Sequence, residues 1–257
     1  MLRDYLYVHL DRVSNSILSR GLTHNDFYRY TLHRPQNLLL LNPIDQNGEY
    51  ETHTGFRVIR GARFVDSYLA IMSQKKGQET KWIDFEDYDV LQRLTANEVA
   101  ELLYFGHMKS QLNSPFFYKL QNNYAFFEIN EDTTKVYYRN IDDFYRILSK
   151  KLSLLVDDKI NTSVSFFRKK IIITEMPVDI VERLKLVMQE GVIFDTSQAG
   201  LKNGFFRVPI YIVEDNLRKV DQPYFKSDEQ IGSISYDVAQ KKWSVQKEHF
   251  DSFYASK

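Results

Sequence analysis

The chain has 257 residues, with 34 basic and 34 acidic side chains that cancel, and no cysteine. Zero formal charge argues against a protein whose main work is gripping nucleic acid, because phosphate neutralisation by Lys and Arg supplies most of that affinity. The missing cysteine excludes disulfides, thiolate metal sites and a Cys nucleophile.

Hydrophobic residues make up 43% and charged residues 26%, the balance of an ordinary globular protein rather than a disordered one. The 17 Tyr and 18 Phe, against only 2 Trp, suit the half-buried faces of a strand-rich core. The start, Met1-Leu2-Arg3-Asp4-Tyr5, meets charge again at Asp11 and Arg12, without the apolar run of a secretory signal. The longest apolar runs, such as Leu38 to Leu41 and Ile171 to Ile173, are far too short to span a bilayer. The expected setting is the cytoplasm, away from the membrane.

In chain order, Leu6, Leu10, Val13 and Ile17 stand at helical spacing and predict a first helix ending near Gly21. Thr23, with Asp26 three residues on, caps a second short helix that Pro35 stops. Leu38 to Leu41 reads as a buried strand, followed by a turn-rich stretch from Asn42 to Gly48. Phe56 to Arg60 reads as a strand; Phe64 to Met72 fits a strand or a short helix equally. Thr95 and Glu98 form a capping box for a helix lined by Val99, Leu102 and Leu103, with Pro115 beyond its end near Lys109. Phe116 to Leu120, Tyr124 to Ile129 and Lys135 to Tyr138 read as an antiparallel meander, turning at Asn122-Asn123 and at Asn130 to Asp132.

Asn140 caps the next helix, whose stripe is Phe144, Ile147, Leu148, Leu152 and Leu155. Val164 to Thr174 reads as a strand or strand pair. Pro177 is placed as a first helical residue, Ile180, Leu184, Val187 and Met188 give the apolar stripe, and Gly191 the stop. Val192 to Phe194, Phe205 to Val213, Ile231 to Tyr236 and Trp243 to Gln246 are further strands, the last two a hairpin through Asp237 to Lys241. Pro209 marks its strand as an edge or a bulge. The segments Lys135–Leu155 and Lys170–Gly191 share a loose strand-then-helix pattern that a duplication would leave.

Hairpins interspersed with helices, without regular βαβ alternation, predict an α+β fold: antiparallel sheet or sheets with interspersed helices. It forms one large domain or two closely packed lobes, with residues 157–162 as the place for a lobe boundary.

No P-loop, dinucleotide glycine fingerprint, nucleophile elbow or zinc-protease motif occurs. Gly55 to Arg63 holds Arg57, Arg60 and Arg63 between glycines, with His53 just upstream. Guanidinium forks suit phosphate or carboxylate, and glycines let main-chain amides approach a ligand. Strand alternation sets Arg57 and Arg60 on opposite faces unless a bulge intervenes. A second polar cluster is His24, Arg29, His33 and Arg34. In a continuous helix Arg29 and His33 share a face, for proton transfer beside an anion or simply as cations favoured at a helix end.

Asp84, Glu86, Asp87 and Asp89 lack the glycine and distal Glu of an EF-hand and read as a solvated loop; no metal site is expected. His107 lies near an apolar stripe and reads as a packed histidine. Phe166 to Lys170 and Lys202 to Val208 mix rings with positive charge, as single-stranded nucleic-acid binders do. Adjacent Phe residues point to opposite sheet faces, however, so only one of each pair could stack.

The expected function is a non-catalytic binding or regulatory module with a protein partner or self-association. The alternatives are an enzyme or small-molecule binder for an anionic ligand, and a single-stranded nucleic-acid binder. No cofactor is indicated.

Overall fold

The computed structural model describes residues 5–75, 79–107, 120–130, 132–162, 170–213 and 230–247. Among them are seven helices and thirteen strands, and every strand pair with a defined register is antiparallel. The fold is α+β, as the hairpin-rich pattern predicts. No helix of the described residues is long and apolar enough to cross a membrane. The chain divides into two units: one from Met1–Leu10, Ser19–Gly21 and Tyr145–Lys257, the other from Asp11–Leu18 and Leu22–Phe144.

The first expected helix is instead two strands, β1 (Tyr5–Leu10) and β2 (Ser16–Arg20). A helix with the Leu6–Leu10–Val13–Ile17 stripe turns Tyr7 and Val8 outward, whereas both are fully buried in strand β1. Val13 is 91% exposed because it sits in a turn. Asp11 builds that turn: its carboxylate accepts the Val13 N–H at 2.8 Å and the Ser14 hydroxyl at 2.9 Å. Asn15 takes the left-handed φ of 49° that Asn tolerates.

The second unit is built on the sheet path β8–β7–β6–β3–β5–β4. Its strands are β3 (Asn37–Leu40), β4 (Glu49–Tyr50), β5 (Arg57–Arg60), β6 (Lys81–Phe85), β7 (Tyr124–Asn130) and β8 (Thr133–Tyr138). The meander is therefore β6–β7–β8; of the expected strand Phe116 to Leu120, residues 116–119 lie outside the described residues and Leu120 is not in a strand. Alternation gives the sheet two apolar faces. On one, Leu39, Val58, Ile83, Phe85, Phe127 and Tyr137 pack with Leu91, Leu94, Leu102 and Phe105, contributed by α3 (Asp89–Gln92), α4 (Ala96–His107) and the turn between them. The other carries α1 (His24–Tyr30) and α2 (Ala62–Gln74). There Trp82 stacks on Phe126 at 5.3 Å between centroids, and Phe27 meets Tyr124 edge-on at 5.0 Å.

Both predicted capping boxes form. Thr23 Oγ1 accepts the Asp26 N–H at 3.3 Å while Asp26 accepts the Thr23 N–H at 2.9 Å. At α4, Thr95 and Glu98 exchange the same bonds at 3.4 and 2.7 Å. The ambiguous Phe64 to Met72 is helical, since Val65, Tyr68, Leu69 and Met72 recur with the helical period and are its buried residues. His107 is exposed at the last position of α4, not packed as expected, because the buried stripe ends one residue earlier at Gly106.

The first unit has the path β13–β12–β11–β9–β1, with β10 beside β11. These are β9 (Val192–Asp195), β10 (Gly200–Lys202), β11 (Phe205–Ile212), β12 (Gln230–Asp237) and β13 (Lys242–Lys247). Pro209 stands in an interior strand, where its missing N–H is harmless for a local reason. β10 pairs with Phe205 to Arg207 and β9 with Ile210 to Ile212, so Pro209 falls in the gap, one residue before a bulge at Ile210/Tyr211.

Helix α5 (Asp142–Thr162) starts with Asn140 Oδ1 accepting the Asp142 N–H at 3.0 Å. It buries Phe144, Ile147, Leu148, Leu152, Val156 and Ile160; Leu155, expected in this stripe, is only half-buried. The polar stretch 157–162 forms the last turns of α5. Of the expected strand Val164 to Thr174, residues 164–169 lie outside the described residues, and 170–177 form neither strand nor helix. Side chains, not a neighbouring strand, satisfy that backbone. Asn161 Oδ1 accepts the Ile171 N–H at 2.9 Å, Ser153 Oγ accepts the Met176 N–H at 2.8 Å, and Trp243 Nε1 donates to Thr174 O at 2.9 Å. The suggested repeat therefore loses its second strand. The helix expected from Pro177 is two short ones, α6 (Val178–Glu182) and α7 (Lys185–Met188), with Pro177 at the N-cap.

Gly106 is a point of close backbone approach in the second unit. A methyl on its Cα lies 2.4 Å from Leu41 O, so α4 reaches the end of β3 only because no side chain is there. Gly106→Ala is expected to lower unfolding free energy by about 1–2 kcal/mol despite alanine's better helix propensity. Gly200→Ala, where a methyl meets nothing within 4 Å, is expected to leave the urea midpoint unchanged; equal midpoints for both variants contradict the close-approach argument.

Candidate functional site

Strand β5, Gly61 and α2 form a strand–turn–helix corner that carries the three arginines. The register from Asn37↔Arg60 to Leu40↔Arg57 runs without a bulge, so Arg57 and Arg60 leave opposite faces. Arg57 donates to Gly48 O and Gln46 Oε1, each at 3.0 Å. Arg60 pairs with Glu49 at 2.7 Å and lies 4.5 Å from the centre of the Tyr88 ring. Arg63 projects from the first turn of α2, exposed, and makes no side-chain bond to a described residue. The four residues thus do not converge as one pocket: Arg60 lies on the Val58 and Tyr88 face, Arg57 is bonded to the turn at Gln46 and Gly48, and Arg63 stands at the helix start.

His53 is engaged elsewhere. Its Nε2 donates to Leu94 O at 2.8 Å, and its N–H donates to Glu51 at 3.0 Å. Glu51 is a buried bracket that also accepts the Thr54 N–H at 2.7 Å, Gln92 Nε2 at 2.9 Å and Tyr88 OH at 3.3 Å. Burial opposes ionisation of this carboxyl, but the bonds from Thr54, the His53 main chain and Gln92 outweigh it and hold it down at about 2. The sequence offers no signal for Glu51, because its partners come from two loops and α3.

The start of α2 is open. Gly61 is the N-cap with φ 91° and no side-chain cap, and the first turn holds no acidic residue. Gly61 N–H donates to Asn37 Oδ1 at 3.2 Å, whereas the N–H groups of Ala62 and Arg63 meet no acceptor among the described residues. Along α2 from this point runs a cleft of about 330 Å³, walled by Phe64, Ser67, Tyr68 and Ile71 on the helix and by Gly48, Ile59 and Arg60 on the sheet edge. Phe64 and Ile71 are 68% and 53% exposed. The floor is held by Tyr68 OH, which donates to buried Asp45 at 2.7 Å. Gly48, at φ 73°, has Val58 O where a Cβ belongs, 2.3 Å away.

The second predicted cluster is dispersed. Helix α1 ends at Tyr30 and Thr31 is extended, so Arg29 and His33 do not share a helical face. Arg29 is exposed, and Arg34 bonds Tyr28 O and lies 4.8 Å over the Tyr28 ring. His33 Nδ1 donates to Asp143 Oδ2 at 2.8 Å, and Tyr124 OH donates to the same oxygen at 2.7 Å. Thr31 Oγ1 donates to Tyr124 OH at 2.7 Å. Burial, reinforced by Asp143, pushes the Tyr124 phenol well above its ordinary range. An exposed imidazole backed by a buried carboxylate is half of an acid–base constellation, but Nε2 of His33 bonds no described residue. His24 is buried beneath α1 in an aromatic setting.

The acidic run is divided as well. Asp84 is fully buried and accepts the Asn123 and Tyr124 N–H groups at 2.8 and 2.6 Å; burial still pushes its carboxyl up to about 6. No group of three or more His, Asp or Glu converges among the described residues. Lys202 to Val208 is a hairpin turning at Asn203 and Gly204, with Phe206 buried; Phe166 to Lys169 lie outside the described residues. Comparison with family models, with curated proteins and with solved structures returns no match.

Glu51 is lowered in the fold from an ordinary 4.5, so its stabilisation is complete above that value and is lost as pH falls towards 2. Glu51→Gln is expected to cost about 1–3 kcal/mol at pH 7 and to flatten the acid limb between pH 4.5 and 2 in denaturant melts. An unchanged acid limb in the variant removes Glu51 from that role.

Proposed function

We propose that this chain is a non-catalytic binding module whose ligand joins an apolar body to an anionic group, a carboxylate or a phosphate. One observation carries the reading: the apolar wall of the α2 cleft leads to a helix start with two N–H groups that meet no acceptor among the described residues, no acidic residue in the first turn, and the exposed Arg63 beside them. Helix N-termini favour negative charge through those N–H groups and the helix dipole, and guanidinium forks add charge-assisted bonds. The cleft falls in the range of small-ligand pockets, about 300–1,000 Å³. Phe64 and Ile71 supply apolar contact along the cleft.

Binding is expected for decanoate and decyl phosphate, with decanol as the neutral comparator, measured by calorimetric titration of the full chain. Arg63→Glu and Ile71→Asp, both at exposed positions, are each expected to weaken the anionic probes by at least about tenfold, or 1.4 kcal/mol. Decanol binding as tightly as decanoate defeats the arginine part of the reading. No saturable heat from any of the three defeats the whole of it.

A further inference from the structure

We propose that α1 is an acid-released element: protonation of His24 detaches this helix from the sheet and opens the aromatic recess of Trp82 and Phe126 beneath it. His24 is 3% exposed, and neither ring nitrogen has a hydrogen-bond partner among the described residues. The imidazole sits edge-on to Phe126 at 4.9 Å and to Trp82 at 6.5 Å. A neutral ring packs there as an apolar plate. An imidazolium there has two N–H donors and no acceptor, and a buried charge without a partner is strongly disfavoured.

Among the described residues no charged side chain is placed against the His24 ring. Strand β6 faces it with Trp82 and β7 with Phe126; Glu128, two residues further along that face of β7, bears on Tyr68 of α2 and opposes its ionisation. On α1 itself Phe27 packs against both of those rings. The nearest acid on the helix, Asp26, is turned back onto Thr23 in the capping box. Asp66 of α2 receives the Tyr28 hydroxyl at 3.5 Å, and Arg29 is exposed. Burial is accordingly what lowers the imidazole, from 6.5 to about 4. A helix of seven residues does not persist without its packing, so the charged ring leaves with the helix rather than alone.

The sign follows from linkage. The closed state refuses a proton that the open state accepts below about pH 6.5, so closure is fully favoured above that value and weakens as pH falls towards 4. Between pH 7.5 and 5 the opening constant is expected to rise about 30-fold.

Hydrogen exchange of the full chain at pH 7.5 and 5, corrected for intrinsic rates, tests this. The α1 amides are expected to lose about 30-fold protection while those of α4 keep theirs, and His24→Phe is expected to abolish the α1 loss. Equal α1 protection at both pH values overturns the proposal, as does an undiminished loss in the variant. Should His24→Phe not fold, a ¹⁵N-imidazole titration of the wild-type chain decides: a ring still neutral at pH 5 supports the proposal, and one that titrates near 6.5 with α1 in place overturns it.

Discussion

Asp84 is a carboxylate sealed from water, and its oxygens are filled by main-chain N–H groups of Asn123 and Tyr124. Unmatched, such a group costs several kcal/mol to bury; matched, it holds the entry of β7 beside the end of β6. That bond fixes which residues of the two strands oppose each other, and the register then sets Trp82 opposite Phe126. The stacked pair is the surface on which His24 and Phe27 rest. The same entry places Tyr124 between Thr31 and Asp143, tying the segment after α1 to the first turn of α5.

The cleft beside α2 depends on a different set of constraints. Gly48 and Gly61 take positive φ values of 73° and 91°, which L side chains adopt only with strain. The first lets the turn after β3 close against Val58; the second bends β5 directly into a helix. A corner made this way leaves the helix start without a side-chain cap, and Arg63 is the charged residue of its first turn. Glu51 holds the neighbouring loop on α3, so the corner rests on buried polar bonds on one side and on α2 packing on the other.

Legibility in the sequence followed the range of the interactions. Both capping boxes and the closing hairpin β12–β13 rest on contacts within a few residues, and local spacing reveals those; the α2 residues fit strand and helix equally, and of the expected α4 stripe Leu103 is exposed. The Leu6–Leu10–Val13–Ile17 stripe misled because β1 is buried on both faces, which erases the alternation that marks a strand. Segment 170–177 has strand-like residues, but its main chain is satisfied by Asn161, Ser153 and Trp243, and no local pattern announces side-chain partners so distant. The arginines of Gly55 to Arg63 were visible as candidates; that Arg60 shares the face of Val58 and Tyr88 while Arg57 shares that of Ile59 follows from the unbroken β3–β5 register, and Arg63 stands at the open helix start.

The sequence by itself determined the α+β class, the absence of thiol chemistry, the neutral charge and most of the helix starts, since each depends on composition or on neighbours along the chain. Only the tertiary structure decided that His53 serves Leu94, that Asp84 is a buried staple, that His33 leans on Asp143 and that neither ring nitrogen of His24 has a hydrogen-bond partner among the described residues. Each of those depends on groups tens of residues apart being brought within 3 Å of one another or, for His24, on none being brought there.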